Sequence, residues 1–182
     1  MNGEEQLILV AELSFVLAGF AGIVATNQFG TAGKFSRGDA IGITLIVHSG
    51  IVNGLLAILP MAIYAMGLSE QRAFNISSGL HCINISIYGL WLLRNMRGVR
   101  VADWKSRVFF WFISSVTASV VVLNAMNALN LVFHGQFGPY LLICLIPLCL
   151  AGYMFMRLVS RPLWRNLKNY DRDRLKDEGR ER

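Results

Sequence analysis

Apolar residues run almost unbroken through five stretches of this chain, roughly 7–26, 40–66, 76–94, 108–133 and 139–157. A helix crosses about 30 Å of hydrocarbon in about 20 mostly apolar residues, and each stretch comes close to or exceeds that length. Turn formers and charge collect between them, in Asn27 to Asp39 with Gly30, Gly33 and Gly38, in Ser69 to Asn75, in Arg97 to Arg107, and in the short link from His134 to Pro139. None of these connectors is long enough to fold by itself, and no internal repeat is visible. The pattern predicts an all-α integral membrane protein, a bundle of five transmembrane helices forming one domain over residues 1–160. A mixed-charge, basic tail follows at 161–182.

Composition agrees with the pattern: the 182 residues are 54% hydrophobic and 15% charged, against about 25% charged in soluble domains. The excess of 17 Lys+Arg over 11 Asp+Glu would suggest nucleic acid in a soluble protein. Here position explains it. No basic residue precedes the first span; Lys34 and Arg37 lie in the first connector and Arg72 in the second. Arg94, Arg97, Arg100, Lys105 and Arg107 flank the third connector, and the remainder start at Arg157. With the N-terminus outside and the C-terminus cytoplasmic, Arg72 alone falls on the outer side, which is the positive-inside asymmetry of the cytoplasmic (inner) membrane. Glu4 and Glu5, with no basic residue before the apolar run, argue that the first span is retained although Ile23-Val24-Ala25 resembles a cleavage site.

In the tail, Pro162 is expected to limit the last span. Beyond it Leu163, Trp164, Leu167 and Tyr170 gather on one helical face, with Arg165 and Lys168 elsewhere. This predicts either a short interfacial helix on anionic lipids, with Trp164, Arg165 and Lys168 at the membrane surface, or a solvated tail. No aromatic-interleaved platform accompanies the charge, so nucleic acid is not expected as a partner.

Polar groups inside the spans carry the candidate chemistry, because each is costly in hydrocarbon. Glu12 is the only acid within a span. Counted from the predicted outer ends, Glu12, His81 and Asn127 share a depth of about 8 Å at 1.5 Å per residue. Ser77, His81, Asn84, Tyr88 and Trp91 form a stripe at spacings of three and four, and Thr117, Asn124 and Asn127 form another. The expectation is a polar pocket in the outer half of the bundle made by Glu12, His81, Asn84, Asn124 and Asn127. An acid and an imidazole within reach would form a titratable pair near neutral pH. A protonated structural Glu12, and asparagines that only bridge helices, are the plainer readings of the same residues.

No cofactor or metal is expected. His48 and His81 differ by roughly 9 Å in depth, which disfavours a bis-histidine haem. His134 stands alone in a connector, and Cys82, Cys144 and Cys149 lack zinc-site spacing. No catalytic fingerprint is present.

Small residues suggest where helices approach closely: Ala11, Ala18, Gly22 and Ala25 with Gly19 nearby on the first span, Gly50 and Gly54 with Asn53 on the second, and Ser115 with Ser119 on the fourth. Pro60 and Pro147 inside spans are expected to free local carbonyls. The stretch Ala11 to Gly22, which reads A-E-L-S followed by A-G-F-A-G, resembles the openings of small uncharacterised bacterial multi-pass membrane proteins with an A-E-x-S…A-G-F-x-G segment. The resemblance implies a bacterial source and that Glu12 and the following glycines belong together; it implies no activity. The sequence thus points to a non-enzymatic, self-associating membrane protein with a proton or cation path or a pH-sensing site. An accessory subunit docking another membrane protein, or a redox or lipid-handling protein, are the alternatives.

Overall fold

The computed structural model describes residues 3–31, 37–96, 104–133 and 136–180, and among them every regular element is helical. The order is α1 (Glu4–Thr31), α2 (Arg37–Ala65), α3 (Glu70–Met96), α4 (Trp104–Ala128) and α5 (Phe137–Arg180). Each contains a segment long and apolar enough to cross a membrane: Glu4–Asn27, Ala40–Ala65, Glu70–Asn95, Trp111–Ala128 and Phe137–Ser160.

Local chemistry moves three boundaries from those expected. Gly67, at φ 92°, closes α2 in a left-handed turn that glycine takes without steric penalty. Two residues on, the Ser69 carbonyl accepts from the Ala73 amide at 3.0 Å, while its hydroxyl accepts from Arg72 N–H at 3.4 Å. Ser69 thereby caps α3, which begins at Glu70 rather than near 76. Where α4 ends, Asn130 adopts φ 57° and the helix stops at Ala128, so residues 129–133, expected within the fourth span, lie in turns and bends. Asn tolerates that conformation better than a β-branched or aromatic side chain would. The third correction concerns Pro162. The helix does not end there but continues to Arg180, so only the apolar composition ends near Ser160. The reading of Trp164, Arg165 and Lys168 as surface contacts lies outside the residues whose side chains are described.

Helix neighbours set what can meet. The backbone of α1 approaches α2 and α5 but not α3 or α4, whereas α5 touches all four other helices. Two apolar clusters hold the bundle. Leu7, Val10 and Ala11 of α1 pack with Ala57, Phe74, Tyr140 and Cys144. Toward the opposite end of α1, Ala21 packs with Ile46, Ala151 and Leu158.

The α1–α2 contact is the closest approach of two backbones. A Cβ on Gly50 would stand 2.6 Å from the Ser14 carbonyl oxygen and 2.7 Å from the Ala18 Cβ, and one on Gly54 would stand 2.8 Å from the Phe15 ring. Gly50 and Gly54 thus lie in a helix contact. Gly19 and Gly22 do not: a Cβ at either meets nothing within 4 Å. On α1 the buried small residues are Ala11, Ser14, Ala18, Ala21 and Ala25.

Candidate functional site

Helices α3 and α4 run antiparallel in a definable register. The Asn127 amide donates to Ser78 Oγ at 2.8 Å, the Cys82 thiol to the Val121 carbonyl at 3.7 Å, and a Cβ on Gly89 would lie 3.7 Å from Thr117 Cγ2. This register sets His81 level with Asn124, and both are buried. The early start of α3 also places His81 eleven residues into its helix, about 16 Å at the α-helical rise. The pocket is therefore central rather than confined to one end.

Helices α2, α3, α4 and α5 border a partly open, largely apolar cavity of about 70 Å³ at this level. His48, Ser49 and Asn53 face it from α2, and His81, Asn84 and Tyr88 from α3. Thr117 of α4 and Pro147 of α5 close it among aliphatic side chains.

Among the residues lining the cavity, Asn53 has its side-chain amide oriented by hydrogen bonds. The Asn53 amide nitrogen donates to the Cys144 carbonyl at 3.0 Å and to Ser14 Oγ at 3.2 Å. The Cys144 carbonyl can only accept, which identifies that atom as nitrogen; Oδ1 is thereby assigned, and it has no hydrogen-bond partner. His81 Nδ1 and the Tyr88 hydroxyl are also buried without a partner. His81 is only 1% exposed, and the Tyr140 ring meets it edge-on at 6.5 Å. Buried polar groups are nearly always hydrogen-bonded in native proteins. Three of the residues lining the cavity thus each carry a buried polar atom without a partner.

A stack of aromatic rings closes one end. His48 lies flat on Tyr88, with centroids 3.8 Å apart and planes 5° from parallel, and Tyr88 lies on Trp91 at 5.3 Å and 21°. Tyr88 is seven residues from His81, or about 10 Å along α3, so the two histidines occupy opposite ends of one cavity. That separation prevents them from sharing a metal ion or a haem iron. Among the described residues no three His, Cys, Asp or Glu side chains converge.

Of the residues singled out from sequence, His81 and Asn84 line the cavity. Asn124 and Asn127 are buried behind them on α4, with Asn124 Nδ2 donating to the Val120 carbonyl at 2.9 Å. Glu12 is not brought to His81. It lies two residues from the buried Ser14, about 160° around α1, on an exposed face with Val16, Gly19 and Ile23, and α1 does not approach α3. His48 and Asn53 belong to the site, and sequence reasoning did not place either there.

Proline chemistry also reaches the site. Pro60 lacks the N–H that the Leu56 carbonyl would accept four residues on, and the Tyr140 hydroxyl donates to that carbonyl instead. Tyr140 is wholly buried, so this bond ties α5 to α2 beside His81.

No protein-family model matches this chain, and neither a curated protein nor a solved structure shows significant similarity to it.

Proposed function

We propose that this chain is a non-enzymatic, multi-pass protein of the cytoplasmic membrane whose central cavity binds and releases protons at His81. The observation that carries the reading is a buried imidazole, with Nδ1 unpartnered, beside a largely apolar pocket between four helices. Histidine is the side chain whose ordinary charge change falls between about pH 5 and pH 8.

In this reading the N-terminus is outside, the C-terminus is cytoplasmic, and the basic tail lies on anionic lipid. The test is a proton-uptake titration in weakly buffered lipid nanodiscs. Wild type should take up about one more proton than His81→Gln as the medium is acidified, with both proteins still folded. Equal uptake by the two proteins removes the reading.

A second reading is favoured by Glu12. An acid at membrane depth on an exposed apolar face is expensive in lipid, and cover by a second copy or by another membrane protein would relieve it. Mild-detergent extraction separates these: a homo-oligomer supports self-association, a stable hetero-complex supports an accessory subunit, and a monodisperse single chain counts against both.

A further inference from the structure

Glu12 is exposed about 5 Å from the middle of the apolar segment Glu4–Asn27, and among the described residues nothing hydrogen-bonds its carboxyl. We propose that this face of α1 is the interface of a parallel homodimer, in which the Glu12 carboxylic acids of the two chains hydrogen-bond each other across a two-fold axis. The proposal rests on the reading that Glu12 is covered by protein, and it names the cover as α1 of a second copy.

Three features support it. The first is placement. Ala11, Ser14, Ala18 and Ala25 mark the buried face of α1, and Glu12, Val16, Gly19 and Ile23 lie opposite them, all exposed. The backbone of α1 closely approaches α2 and α5 but neither α3 nor α4, so α1 stands at the edge of the bundle. What remains to meet this face is lipid or another protein, and hydrocarbon offers a carboxyl no partner.

The second is the make-up of the face. Glu5, Glu12, Gly19 and Thr26 stand seven residues apart, all exposed, and none carries a large apolar side chain. Thr26 turns its hydroxyl back to the Ile23 carbonyl at 2.8 Å. Leu9, Val16 and Ile23 form a second exposed row beside them at the same spacing. A face adapted to lipid would place large apolar groups in both rows. A Cβ on Gly19 meets nothing within 4 Å, which leaves a notch about 10 Å along the helix from Glu12 where another backbone can approach. Two rows repeating every seven residues stay in contact with a partner helix when the pair crosses left-handed at about 20°, the common angle in membrane bundles.

The third is self-complementarity. A carboxylic acid holds one O–H donor and a carbonyl acceptor, so two of them satisfy each other with no net charge in the hydrocarbon. Copies inserted with the same orientation carry Glu12 at the same depth, and a two-fold axis along the membrane normal brings each residue of the interface to its own counterpart. A different membrane protein would need a matching group at that depth; a second copy supplies it by symmetry.

The test uses the full chain in phosphatidylethanolamine–phosphatidylglycerol vesicles, with dimerisation read by Förster transfer between donor- and acceptor-labelled copies over a range of protein densities. Glu12→Leu and Gly19→Ile should each weaken dimerisation at least about tenfold, with helical content unchanged. Glu12→Gln keeps a donor and an acceptor and should dimerise more tightly than Glu12→Leu. On oxidation Val16→Cys should cross-link between chains. Leu13→Cys, on a neighbouring face of α1, should cross-link no more than the unsubstituted chain, in which the exposed Cys149 sets the background. Glu12→Leu dimerising as tightly as wild type, or Leu13→Cys cross-linking as well as Val16→Cys, overturns this interface and leaves self-association standing. Wild-type chains that show no transfer at any density remove both.

Discussion

Gly50 of α2 lies against the backbone of Ser14 in α1, so close that a single methyl on Gly50 would stand 2.6 Å from the Ser14 carbonyl oxygen. The obstacle is backbone, which cannot swing aside. Gly50→Ala should therefore force the helices apart and destabilise the protein by about 1–3 kcal/mol, the usual cost of overpacking. Gly19→Ala and Gly22→Ala, with nothing within 4 Å, should fall within about 0.5 kcal/mol of wild type in the monomer. Denaturation in mixed micelles compares the three. A loss at Gly19 that matches the loss at Gly50 would place an unseen chain against α1.

Tyr140 and Pro60 should behave as a coupled pair. Tyr140→Phe leaves the Leu56 carbonyl without a donor, because Pro60 has none to give, and should cost about 1 kcal/mol or more. In a Pro60→Ala background the helix supplies its own N–H to Leu56, and the same substitution should cost less. A double-mutant cycle on unfolding free energies measures the difference; strict additivity would show that the hydroxyl does not replace the missing amide.

Asn53 joins three helices through Ser14 and the Cys144 carbonyl. Intramembrane hydrogen bonds contribute roughly 0.6–2 kcal/mol each, so Asn53→Leu should lower stability by about 1–3 kcal/mol. Ser14→Ala, which removes the longer of the two bonds, should cost less than Asn53→Leu in the same unfolding assay.

Glu12 lies on an exposed face of α1, whose backbone does not closely approach that of α3. Glu12→Gln should leave the proton affinity of His81 unchanged in a monomer, as read by the nanodisc titration. A shift would require Glu12 of one chain to approach His81 of another.

The difference between Glu12 and His48 marks what the sequence could convey. Five long apolar runs and the spacing of His81, Asn84 and Tyr88 along one face were legible because both follow from the rise and turn of a helix. Matching Glu12 with His81 used depth alone. Depth gives neither the order of helices around a bundle nor which face of α1 is buried, and Ser14, not Glu12, occupies that face. The same limit hid His48, whose depth argued against a shared metal yet allowed the opposite end of a shared cavity. Boundaries moved where a single residue chose the conformation: Ser69 capping α3, and Asn130 ending α4 before the apolar run ends. Small-residue spacing alone could not distinguish Gly50, which is needed for a backbone contact, from Gly19, which is not.

The proposal that His81 takes up a proton beside the central pocket is tested by the side-chain ¹⁵N resonances of His81 in lipid nanodiscs, followed with pH. Nδ1 and Nε2 should shift together through one reversible titration as the pH is lowered, with the helical spectrum unchanged. His81 nitrogens that hold one neutral tautomer across the whole range, in protein that remains folded, would contradict it.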